Sequence, residues 1–263
     1  MKYEHQLRKL SSEERKNLSS EEIFHSAEFY SYLQKMGETL LRHCGITKRL
    51  SLTILPTGIA PGWTDGKKEY LVPENTITEA YNDIYAKFTA LLGIHFHEIA
   101  HIIYCDFAEE QKAIDKIKAG EFYGELPVPK TQAEVDALTE MKDALQNSAY
   151  RPLFQQIFND VTNTIDDPHD EGKIIDEFGG IVEKGIATSR EALFRSFDYA
   201  ENILANDKAT KLQKLYALML EFARFEDVFA RDLEQCVCDN DIMKMVICLL
   251  YTSPSPRDIS GSR

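Results

Sequence analysis

What the sequence lacks narrows it first. No apolar run approaches the roughly 18 residues that a membrane span needs, so a membrane protein is not expected. The N-terminal stretch MKYEHQLRKLSSEERKNLSSEE has no apolar segment of the kind a secretory signal carries. Basic residues are short against acidic ones, 30 Lys and Arg against 43 Asp and Glu, for a formal charge of −13. That balance speaks against nucleic-acid binding, which needs clustered Lys and Arg to meet phosphates. Cysteine is sparse and odd in number: Cys44, Cys105, Cys236, Cys238 and Cys248. Their spacing is not that of a disulfide framework, so reduced thiols and a cytoplasmic location are expected. Cys236 and Cys238 read as two helix cysteines rather than a metal pair. There is no internal repeat and no Gly/Ser linker.

What is present is an ordinary globular balance, 43% hydrophobic and 28% charged over 263 residues, enough to bury a core. Residues 1–20 are polar and read as a loose arm or a short helix. Glu22 to Cys44 carries apolar residues at helical spacing, with Ser19 and Ser20 as caps and Gly45 as a stop. Arg49 to Pro56 alternates like a strand, and Glu69 to Val72 reads as a second. Pro61-Gly62 and Asp65-Gly66 between them are turn signals. Helices are predicted over 78–107, 112–119, 131–147, 152–166, 189–204, 207–231 and 233–247, with 167–180 irregular. The fold class is therefore α+β, predominantly helical, with a small antiparallel sheet before the long central helix.

That central helix carries the chemistry. From Ala90 to Tyr104 it reads ALLGIHFHEIAHIIY, apolar almost all round and so expected to be buried. His97 and His101 are four apart and share a face, a spacing that lets two imidazoles reach one zinc ion. Glu98 sits beside that position, where a carboxylate takes a proton from an activated water. Buried imidazoles and a buried carboxylate are costly without partners, and a metal supplies them. His95 faces away and reads as a core or supporting histidine. A third ligand must come from elsewhere. In FNDVTNTIDDPHDE (158–171), Asn159, Asn163, Asp166 and Asp167 recur at helical spacing and could line a wall. The same pattern also suits a helix end dissolving into an acidic loop. Asp106, five residues past His101, is turned away if the helix continues.

Three segments resemble the metallopeptidase modules, cobaltochelatase-subunit-like, that precede von Willebrand factor A domains in bacteria and phages. They are Thr64-Asp65-Gly66-Lys67, then HEIAHIIYCDF at 97–107, then Asn163 to Glu171. The resemblance covers about residues 50–180. It departs at Asp166, where the family carries Glu, at His169, where it carries Arg, and at Pro168. It implies a zincin-like metallopeptidase domain holding Zn2+ through His97, His101 and Asp166, with Asp167 as the alternative third ligand. It further implies Glu98 as general base, a von Willebrand A domain to follow, and an ATPase partner. Asp167 or Asp106 would orient a histidine, and Tyr104 or His169 would polarise the carbonyl. Residues 248–258, CLLYTSPSPRD, resemble a translated sequencing adapter. The domain is thus expected to span 1–247 and to be cut short, with 248–263 an artefact tail. A peptide or protein substrate is expected. The rival reading is a non-catalytic interaction module, with a closed zinc site in which His169 is the fourth ligand.

Overall fold

The computed structural model describes residues 19–196, 202–203 and 205–224. The readings for the N-terminal arm, the helix at 233–247, Cys236, Cys238 and the 248–263 tail lie outside these residues. The chain divides into two compact units, Asp106–Asp166 and the residues on either side of it.

In the larger unit, α1 (Ser20–Phe24) and α2 (Ala27–His43) replace the single expected helix. The break has a local cause: the Ser26 hydroxyl accepts the Phe29 N–H at 3.1 Å and starts a new helix. α2 buries Phe29, Leu33, Gly37, Leu40 and Leu41 on one stripe. The sheet has order β1-β3-β2, built from β1 (Ser51–Ile54), β2 (Gly62–Thr64) and β3 (Lys68–Leu71). β1 runs parallel to β3, with Ser51 opposite Lys68, and only β2 is antiparallel, with Trp63 opposite Tyr70. The expected purely antiparallel sheet is thus mixed. The missed strand is β2, whose Gly62 reads as a turn residue but lies extended along β3. The Asp65-Gly66 turn forms as expected: Asp65 Oδ1 accepts the N–H groups of Lys67 and Lys68, and Gly66 takes φ +78°.

After a 3₁₀ turn at Thr78–Ala80, α3 (Ile84–Tyr104) begins at Asp83, whose carboxylate accepts the N–H groups of Tyr85 and Ala86. From Phe88 to Ala100 it is buried nearly all round. The apolar sequence requires that, because a helix without a polar face has no stable place at a surface. α6 (Arg151–Phe178) is one helix of 28 residues, and the expected irregular stretch from 167 is helical. Pro168 lies inside it, where a proline forfeits one helical hydrogen bond. The helix stops where Gly179 turns left-handed at φ +52°. α7 (Gly180–Ser196) then packs along α3, so closely that a Cβ built on Gly93 would meet the Gly185 carbonyl oxygen at 2.1 Å. Leu91, Leu92, Phe96, Ile99, Ile174, Val182 and Ile186 fill the core around this crossing. α8 (Lys211–Arg224) buries Ala217 and Leu218. Among the described residues no single helix is long and apolar enough to cross a membrane.

The smaller unit contains α4 (Phe107–Ala119), α5 (Gln132–Gln146) and the first part of α6. Thr131 and Glu134 form a reciprocal capping box on α5. Arg151 ties the unit together by donating to the carbonyls of Lys118 and Leu145.

Candidate metal centre

Two helices of the larger unit bring the candidate residues together. α3 supplies His97, Glu98 and His101, and the second half of α6 supplies Asp167, Asp170 and Glu171. His97 Nε2 and His101 Nε2 point at each other, 3.1 Å apart. Asp167 Oδ1 lies 3.1 Å from His101 Nε2 and 3.7 Å from His97 Nε2. A tetrahedral zinc with bonds of about 2.0–2.1 Å holds its ligand atoms about 3.3–3.4 Å apart. The three observed separations bracket that figure, so the donor set fits one ion at its centre.

The outer nitrogens strengthen the fit. His97 Nδ1 is 2.7 Å from Glu171 Oε1, and His101 Nδ1 is 3.1 Å from Asp170 Oδ2. An ionised carboxylate only accepts, so each Nδ1 donates, and each Nε2 is left with its lone pair facing the other and Asp167. Only a cation or bound protons stabilise that arrangement, and the carboxylate–histidine pairing is the one that orients metal-bound imidazoles. Burial alone would depress His97, but the Glu171 bond and charge outweigh it and hold its pKa above the ordinary value. His101 is raised in the same way, against burial, by Asp167 and Asp170. Asp170 is pulled below its usual range despite burial, through bonds from His101, Cys105 and His169. Cys105, whose thiol donates to Asp170 at 3.0 Å, is pushed up to about 11, chiefly by burial.

Glu98 is not among the three donors. It is 5% exposed on the wall of a cavity of about 310 Å³ that His97, Asp167 and Glu171 also line. Burial raises its pKa to about 7. Charge on His97 and His101 pulls it down, while Glu69 and Asp167 push it up. Strand β2 passes close above it: a Cβ on Gly62 would lie 3.0 Å from Glu98 Oε1. Ile77, Ile94 and Leu193 give the cavity an apolar side, and Arg190 closes it next to Glu171.

Several expected residues stand elsewhere. Asp166, the first choice for third ligand, belongs to the smaller unit and is not in the group with His97 and His101, whereas the alternative, Asp167, is. Asn159 and Asn163 are exposed. Asp106 caps α4, accepting from Ala108 and Glu109. His169 turns its Nδ1 to Asp170 Oδ1 at 3.0 Å and is outside the donor group, and Tyr104 donates to Glu177. His95 is fully buried, its Nδ1 2.6 Å from Glu69 of β3, so it joins sheet to helix. Asp170, Glu171 and Arg190 were not singled out as site residues by the sequence. The first two were legible in principle, three and four residues beyond Asp167, had α6 been carried through Pro168. Arg190 gave no signal, because only the folding of α7 onto α3 brings it near His97.

Comparison with family models, with curated proteins and with solved structures finds no match.

Proposed function

We propose that the chain is a zinc-dependent hydrolase of peptide bonds with a zincin-like active site, its metal held by His97, His101 and Asp167. The reading is carried by one observation: three donor atoms at 3.1, 3.1 and 3.7 Å, with a buried carboxylate beside them that is not a donor. Zinc, when held by these residues, would supply a water acidified toward neutral pH and a Lewis acid for the scissile carbonyl. Glu98, buried beside the three donors and not one of them, would accept the proton that the attacking water loses. As the C–N bond breaks, Glu98 returns that proton to the departing amine. Glu171 and Asp170 keep the two imidazoles in the tautomer that offers Nε2 inward. Ile77, Ile94 and Leu193 give the rest of the cavity an apolar side against which a substrate side chain would pack.

The closed structural site is less well supported, since His169, its fourth ligand, is engaged by Asp170. A von Willebrand A domain, an ATPase partner and a cytoplasmic setting rest on sequence resemblance and cysteine usage alone. The test is Glu98→Gln. It keeps shape and removes the base, so zinc content should hold while peptide hydrolysis falls about a hundred- to ten-thousand-fold. Equal cleavage by both proteins would refute the assignment.

A further inference from the structure

We infer that Arg190 is a carboxylate-recognition residue of the cavity, selecting peptides that carry a carboxylate one residue beyond the bond to be cut. This rests on the hydrolase reading and names its substrate class.

Arg190 projects from α7 into the cavity wall that Glu98, His97 and Glu171 share, and its side chain is 33% exposed. Its Nε donates to Glu171 Oε2, while Glu171 Oε1 takes His97 Nδ1. No other bond of its guanidinium to the described residues is present, and a third of its side chain is exposed. Guanidinium is planar and presents its remaining donors as a fork matched to carboxylate. Among the described residues that line the cavity, it is the one permanent cation. The Glu171 bond holds the group in place before any ligand arrives, which lowers the ordering cost of binding.

Position separates this role from stabilising the reacting carbonyl. Between Arg190 Nε and the point where the two Nε2 atoms converge lie the Glu171 carboxylate and the His97 ring. The guanidinium therefore reaches a neighbouring part of the substrate, where an extended chain advances about 3.3–3.6 Å per residue. The apolar side chains Ile77, Ile94 and Leu193 complete the pocket, so the group preceding the carboxylate is apolar. Two sources supply such a carboxylate: the C-terminus of a peptide, or an Asp or Glu side chain within one.

The experiment uses zinc-loaded full chain and three probes. They are N-acetyl-alanyl-leucyl-leucine as free acid, its C-terminal amide, and the amide extended by one aspartate. Binding is read by calorimetry and cleavage by chromatography. A charge-assisted fork should favour a carboxylate probe over the plain amide by about 10- to 100-fold. Preference for the free acid alone assigns the C-terminus, and preference for the aspartyl amide assigns a side chain. Arg190→Gln should erase the preference, so that the carboxylate probes bind no better than the plain amide does to the same variant, and Arg190→Lys should restore part of it. A merely structural role would lower all three probes together. Equal binding of all three probes by wild type, no binding of any probe, or an unchanged preference in Arg190→Gln overturns the proposal. Cleavage without preference refutes Arg190 and leaves the hydrolase standing. Arg190-dependent preference without cleavage refutes the hydrolase and leaves the recognition site.

Discussion

Replacing Glu98 by glutamine in metal-free protein should change how stability depends on pH. The folded chain holds the Glu98 carboxyl at about 7, against an ordinary value of 4.5, because burial strips water from the charged form. An acid whose pKa is raised by folding binds its proton more tightly folded than unfolded. Its stabilising effect is complete below about pH 4.5 and drains away as pH rises to about 7. The difference of about 2.5 pH units, at about 1.36 kcal/mol each, comes to about 3 kcal/mol. Glutamine carries no such proton, so the variant should gain about 3 kcal/mol on wild type between pH 4.5 and pH 8. In a chain of this size that is about 6–12 °C in melting temperature. His97 and His101, also raised, lose stability in the same direction as pH rises, but they are common to both proteins and cancel in the comparison. The assay is thermal unfolding in chelator at pH 4.5 and pH 8 for both proteins. Parallel melting curves across that range would mean that Glu98 is solvated in the folded chain, and would remove the ground for reading it as a tuned base.

The third ligand can be decided by elemental analysis: Asp167→Asn should weaken zinc binding by at least about 100-fold, more than loss of a supporting group does, while Asp166→Asn leaves it intact. The opposite ranking would restore Asp166. Gly93→Ala should lower the urea midpoint, by about 2 kcal/mol or more of stability, because its Cβ meets the Gly185 backbone at 2.1 Å and neither helix can yield locally. A neutral effect would show that the two helices are not held in contact.

The helix that carries the candidate donors was legible because two independent signals coincide in it: histidines four apart, and an apolar surface that forces those histidines inside. The sheet was half legible. β1 and β3 alternate, but β2 is three residues with a glycine at the head, and its pairing is decided by β3 rather than by its own sequence. The choice between Asp166 and Asp167 turned on Pro168. Read as a helix breaker, it leaves the phase of residues beyond it undefined. With the helix continuous, Asp167, Asp170, Glu171 and Ile174 fall at i, i+3, i+4 and i+7 and are all buried, and Asp166 is out of phase. Proline gives up a single backbone bond there, while that stripe gains burial and charged partners, so tertiary packing overrides the local signal.

The contact of Gly93 with Gly185 also sets a lever arm. His97 stands four residues along α3 from that point and Arg190 five residues along α7 from it, a rise of about 6 and 7.5 Å. A hinge error of about 5° between the two axes, acting over about 7 Å, displaces one wall against the other by only about 0.6 Å. That is close to the tolerance of about 0.5 Å within which a catalytic constellation has to be held. Mounting both walls a turn from their fulcrum makes alignment insensitive to motion at the far ends of either helix, a mechanical economy that longer arms on the same helices would forfeit.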